Sequence, residues 1–105
     1  MSEGASVNVK LETGPDGRHC LSGHLGFDTA EDAMRQLDVL PLASGAAYRL
    51  DLSALKSIDS AGLAVILEYW RRCRQAGASL VLEESPEQLT RLIRISGLET
   101  VLETA

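Results

Sequence analysis

Apolar residues along this chain recur with two different periods, and the changes between them predict strands that alternate with helices. Residues 7–13 alternate apolar and polar positions, and residues 19–23 resume that pattern after the turn sequence Gly-Pro-Asp-Gly at 14–17. The two segments therefore predict a hairpin. A helical pattern follows, with Asp28 or Thr29 as its N-cap.

The second half of the chain repeats the unit of a strand followed by a helix. A short apolar strand is predicted at 48–52, and a polar turn leads from it into the clearest helical pattern. That helix begins near Ser60 and is expected to stop before Gly77. A further strand is predicted at 79–83. This order of elements indicates an α/β fold with a largely parallel or mixed sheet.

The last helix begins with the composition of a capping box. Ser85 is predicted as the N-cap, Pro86 as the first helical residue, and Gln88 is expected to reach back to the cap. Gly97 is expected to end the helix. Helical spacing predicts the buried sides of the two later helices: Leu63, Ile66, Leu67, Trp70 and Cys73 or Arg74 in the first, and Leu89, Leu92 and Ile93 in the second. Trp70 is expected in the core or at its edge.

Composition and charge narrow the classes of partner. The net charge of −5 argues against nucleic acid and against direct contact with an anionic membrane. The sequence predicts no membrane-spanning helix, and its first residues lack the basic and apolar regions of a signal peptide. Cys20 and Cys73 lie far apart in sequence and are expected to be free thiols of a cytosolic protein, with a single disulfide between them as the alternative that the sequence leaves open.

The sequence contains few of the residues that catalysis or metal binding requires. It has no phosphate-binding glycine motif, and its only histidines are His19 and His24. Ser60 beside Asp59 lacks the Gly-x-Ser-x-Gly elbow of a nucleophile, and both residues are more typical of a helix cap. We therefore predict no catalytic residue, no metal site and no cofactor.

The turn from Asp59 to Gly62, at the start of the long helix, is the strongest candidate for a binding site. A helix N-terminus presents unpaired backbone N–H groups and partial positive charge, and small residues leave it accessible. Glycine costs up to ~1 kcal/mol relative to alanine inside a helix. Either a closely approaching partner or tight packing within the domain explains Ala61 and Gly62, and the sequence does not choose between them.

Motifs spread over nearly the whole chain resemble the STAS family, which includes the anti-sigma-factor antagonists and the cytoplasmic domains of sulfate transporters. The most specific one lies at residues 51–64 and contains Ile-Asp-Ser-Ala-Gly-Leu-Ala. Segments 21–25, 27–31 and 86–98 resemble the second strand, first helix and late helix of the family. The resemblance implies one STAS domain over 7–105, after a flexible N-terminus, with a mixed sheet of about four to five strands and helices mainly on one face.

Within this family the chain resembles the MlaB group, the small STAS subunits of bacterial phospholipid-transport ABC complexes that maintain outer-membrane lipid asymmetry. This resemblance implies a non-catalytic subunit, cytoplasmic and peripheral to the inner membrane, that inserts no segment into the membrane. Its implied partner is the MlaF-like ATPase subunit, in a complex with the permease. The implied contact residues are Asp59, Ser60, Ala61, Gly62 and Leu63 on the long helix, and Phe27, Asp28 and Thr29 before the first helix.

The alternative is an anti-sigma-factor antagonist controlled by phosphorylation. Such antagonists typically have Asp-Ser-Ser-Gly at this turn, and their partner kinase modifies the second Ser. Ala61 occupies that position here and has no hydroxyl, so the resemblance favours the transporter subunit. Ser60 is the remaining candidate for phosphorylation. Gly26 also differs from its counterparts, which are often Asp or Thr.

Overall fold

A computed structural model describes residues 8–14 and 17–104 of the chain. The proposed flexible N-terminus at 1–6 lies outside the described residues. Within them the chain forms nine elements in this order: β1 (Val9–Thr13), β2 (His19–Leu25), α1 (Ala30–Asp38), β3 (Ala47–Asp51), β4 (Leu55–Ile58), α2 (Ser60–Gln75), β5 (Ser79–Glu83), α3 (Glu87–Ile95) and β6 (Glu103–Thr104).

The strands form one mixed sheet in the order β1-β2-β3-β5-β6, with β4 paired beside the second half of β2. β1 and β2 form the predicted antiparallel hairpin, and the remaining strand pairs are parallel. The predicted α/β class and mixed sheet are confirmed.

The helices cover one face of this sheet. α1 packs against β1 and α2, and α2 packs against β4, β5 and α3. Leu50 of β3 is buried beneath this layer, whereas its neighbours Arg49 and Asp51 point away from it and remain accessible to solvent. The alternation leaves the opposite face of the sheet polar.

The polar turn predicted between β3 and α2 contains a strand that the sequence pattern did not reveal. Leu55–Ile58 forms β4 and pairs in parallel with β2, which changes partner from β3 to β4 at an irregularity beside Gly23. Gly23 has a φ of +91°, and a Cβ there would lie 2.2 Å from the carbonyl oxygen of Asn8. Because only glycine fits, this residue allows β4 to bring Ile58 into the core directly before α2.

The predicted capping box of α3 is wrong. α3 begins at Glu87, Pro86 is its N-cap residue, and no side chain caps the helix. The Gln88 side chain instead accepts a hydrogen bond from the backbone N–H of Ile58 at 3.3 Å, so it ties α3 to β4. The local sequence favoured a capping role for Gln88, but its side chain binds the backbone of β4 instead.

The buried face of α2 is rotated slightly from the predicted one. Leu63, Ile66 and Cys73 are buried as expected, and Tyr69, only 2% exposed and not among the predicted residues, also lies in the core. Trp70 lies at the edge of the core, where the Arg74 guanidinium stacks over its ring at 5.2 Å. In both later helices one predicted core leucine is only half-buried: Leu67 and Leu92.

Candidate partner-binding surface

The Asp59 carboxylate joins the two segments that were predicted to form the binding site. Asp59 is the N-cap of α2, and its Oδ1 accepts a hydrogen bond from the Gly62 N–H at 3.1 Å. Its Oδ2 accepts a hydrogen bond from the Phe27 N–H at 3.2 Å. A single side chain therefore fixes the start of α2 against the segment that precedes α1.

Thr29 shapes the same segment from inside the protein. It is buried at the N-cap position of α1, but its side chain does not cap that helix. The Thr29 hydroxyl instead donates to the carbonyl of His24 at 2.8 Å and accepts from the N–H of Gly26 at 3.0 Å. Thr29 thus holds the turn that presents Phe27 and is not itself exposed to a partner.

The accessible part of the site is small and partly apolar. The Phe27 side chain is 82% exposed, and Asp28 and Ser60 are also exposed. Ala61 is half-buried beside Ser60. We call these four residues the α2-start surface: Phe27, Asp28, Ser60 and Ala61. Aromatic side chains are enriched among the residues that contribute most to protein–protein binding.

Besides Thr29, two more of the predicted contact residues face the interior. Leu63 is buried in the core. A Cβ on Gly62 would lie 2.2 Å from the carbonyl oxygen of Leu25 and 2.7 Å from Cγ1 of Ile58. Tight packing within the domain therefore explains Gly62, which answers the question that the sequence left open for this residue.

A polar cluster of His24, Ser57 and Asp59 lies under the α2-start surface. His24 Nδ1 and the Ser57 hydroxyl share a hydrogen bond across the β2–β4 pair. A Cβ on Gly26 would lie 2.6 Å from His24 Nε2 and 2.7 Å from Asp59 Oδ2, so those two groups fill the space of a side chain. The sequence analysis missed this cluster because His24 and Ser57 meet only through the unrecognised strand β4.

The cluster affects the ionisation of Asp59. Partial burial by itself would raise the pKa of the Asp59 carboxyl. Hydrogen bonds from the backbone N–H groups of Gly62, Phe27 and Ala61 outweigh this effect, with a smaller contribution from His24, and the pKa lies below its usual value. Asp59 therefore remains a charged hydrogen-bond acceptor at neutral pH, as an effective N-cap requires.

Within residues 8–14 and 17–104, no group of three or more His, Cys, Asp or Glu side chains is arranged to hold a metal ion. The described helices are too short or too polar to span a bilayer. Cys20 and Cys73 are free, as predicted. The start of α2 therefore presents the exposed side chains of Phe27, Asp28 and Ser60 above backbone N–H groups that Asp59 binds.

A family model described as "Mlab, STAS domain" matches residues 13–103. The chain therefore belongs to the STAS family, as its motifs predicted. It is 31% identical over 83 residues to an anti-sigma-B factor antagonist of Listeria monocytogenes, a match that covers 79% of this chain and 73% of the relative.

Solved structures share the fold. An anti-sigma factor antagonist from Mycobacterium paratuberculosis superposes with a TM-score of 0.65 at 22% identity, covering 99% of this chain and 89% of that one. A sulfate transporter family protein from Wolinella succinogenes superposes with a TM-score of 0.64 at 22% identity, covering 79% and 67% of the two chains. At these identities the likeness establishes the shared architecture.

Proposed function

We propose that this protein is a non-catalytic antagonist that binds an anti-sigma factor through the α2-start surface. The observation that carries the proposal is the exposed ring of Phe27, whose backbone N–H is bound by Asp59, beside the small residues Ser60 and Ala61 at the start of α2. The similarity to an anti-sigma-B factor antagonist supports this class of partner over the ATPase subunit.

The test is the affinity for the anti-sigma factor encoded in the same genome, measured by calorimetry. We expect Phe27→Ala to weaken binding by about 30-fold, because truncating a central aromatic anchor costs ~2 kcal/mol. Val39→Ala is the matched control, since Val39 is also an exposed apolar residue, 76% exposed, but follows the far end of α1. Unchanged binding by both Phe27→Ala and Ser60→Arg would refute the proposed surface.

Ser60 is the proposed site at which phosphorylation ends this interaction. Its side chain is exposed at the first residue of α2, whereas Ala61 has no hydroxyl. A phosphate would add about −1.5 to −2 charges beside Phe27 and Asp28 and would have to be desolvated in the interface. Mass spectrometry after incubation with the cognate kinase and ATP should find one phosphate in the wild type and none in Ser60→Ala. In Ala61→Ser, a second phosphate would show whether the kinase also reaches that position.

The second candidate is the MlaB-type subunit of a phospholipid-transport ABC complex. The description of the matching family model and the absence of a hydroxyl at Ala61 favour it. The same surface would then dock on the cytoplasmic ATPase subunit, in complex with the permease, at the inner membrane. Co-purification from the native cell separates the two candidates. An ATPase–permease complex whose ATPase rate falls with Ser60→Arg would support this one and count against the antagonist.

A further inference from the structure

Among the residues that the structure describes, β1 is an outer strand of the sheet, and the Gln36 side chain binds its outer edge. Within the described residues β1 pairs only with β2. On the other side, the Gln36 side chain of α1 accepts a hydrogen bond from the Leu11 N–H at 2.8 Å and donates one to the Val9 carbonyl at 2.9 Å. These are backbone groups that a neighbouring strand would bind, so the Gln36 amide takes the place of a peptide group.

Gln36 is held in this position by a further contact, and space remains beside it. Its Nε2 also donates to Asp32 at 3.2 Å. A groove of about 380 Å³ lies along the edge, and its apolar walls include Leu11, Val39 and Leu40. A strand added to β1 could therefore place an aliphatic side chain against these residues on the helix-covered face.

The charge pattern of β1 is complementary to itself. In an antiparallel pair of two β1 strands centred on Leu11, Lys10 of one copy faces Glu12 of the other, and Val9 faces Thr13. Lys10 and Glu12 are both exposed, and within one strand they already approach to 3.4 Å. Opposite charges at directly opposed positions favour this register over others.

We propose that β1 is a self-association edge whose partner is a second copy of this chain. The two β1 strands pair antiparallel about Leu11, which gives one sheet that continues through both molecules. In this pair the Leu11 N–H of one copy donates to the Leu11 carbonyl of the other copy. The Val9 carbonyl of one copy likewise accepts from the Thr13 N–H of the other. Gln36 competes for the same groups and keeps the association weak. This proposal does not depend on the anti-sigma factor or on the α2-start surface.

Sedimentation equilibrium over a concentration series tests the proposal. We expect Gln36→Ala to associate about tenfold more tightly than the wild type, because two backbone groups lose their competing partner. Gln75→Ala is the matched control, because it removes the same side-chain atoms from an exposed helical position away from any strand edge. It should associate as the wild type does.

Charge variants identify the surface. Adding Lys10→Glu to Gln36→Ala should weaken the dimer about fivefold, since like charges then face each other twice. The exchanged pair Lys10→Glu with Glu12→Lys should restore it. A Gln36→Ala protein that stays monomeric, or a dimer insensitive to the charge at Lys10, would overturn the proposal. If Gln36→Ala does not fold, Gln36→Met gives the same test, because its thioether side chain keeps the length of Gln but neither donates to the Val9 carbonyl nor competes effectively for the Leu11 N–H.

Discussion

Gly62 shows how a residue that is accessible in the sequence pattern becomes an interior residue in the fold. Its place in the first turn of α2 suggested an open helix end, yet its Cα lies against the carbonyl of Leu25 and the side chain of Ile58. That neighbourhood exists only because β2 and β4 end beside each other under the helix. The binding surface is therefore narrower than the motif and comprises residues on either side of Gly62.

Gly62→Ala tests this packing. We expect the free energy of unfolding to fall by about 1–3 kcal/mol, because the new methyl group meets backbone atoms that cannot move cheaply. This loss exceeds the gain of up to ~1 kcal/mol that alanine brings to a helix. Urea denaturation measures it, and Ala61→Ser, at the half-buried neighbour, should stay within ~0.5 kcal/mol of the wild type. A Gly62→Ala variant of wild-type stability would show that the packing is loose.

At the scale of elements, β4 decides how the site is assembled. Four residues are too short for a clear period-two pattern, and their partner in β2 lies more than thirty positions earlier in the sequence. The glycine-dependent irregularity in β2 makes the pairing possible. Once β4 is in place, it sets Ser57 beside His24 and Asp59 at the first turn of α2.

The cap of α2 is titratable, which gives a pH prediction. The folded-state pKa of Asp59 is lowered, so its contribution to stability is complete above the unfolded-state value of ~3.9 and is lost as the pH falls through the folded value. Asp59→Asn keeps an N-cap acceptor but does not titrate.

Unfolding free energies of the wild type and Asp59→Asn, measured by urea denaturation, should therefore converge as the pH is lowered below about 5. Asp51, whose pKa is also lowered, chiefly by hydrogen bonds from Ser53, is present in both proteins and cancels in this difference. Parallel pH curves for the two proteins would contradict the proposed role of the Asp59 carboxylate.

At the scale of the whole molecule, the two faces of the sheet differ in the interactions that stabilise them. The helix-covered face packs against the hydrophobic core. The open face is polar, and ion pairs on it connect neighbouring strands. Glu83 of β5, nearly buried there, pairs with Arg49 of β3 at 2.5 Å and with Arg18, before β2, at 3.0 Å. The α2-start surface and the β1 edge lie outside these ion pairs.

The sequence by itself determined the α/β class, the hairpin, the two later helices and the family, because these depend on local periodicity, turn residues and short motifs. Only the tertiary structure decided that Tyr69 joins the core face of α2, what Gln88 binds and that Gly62 packs inward, because each depends on residues distant in sequence. The contact of His24 with Ser57 and the hydrogen bonds of Gln36 to β1 were not predicted for the same reason. Contacts across the sheet are set by its pairing, and no window of neighbouring residues contains them.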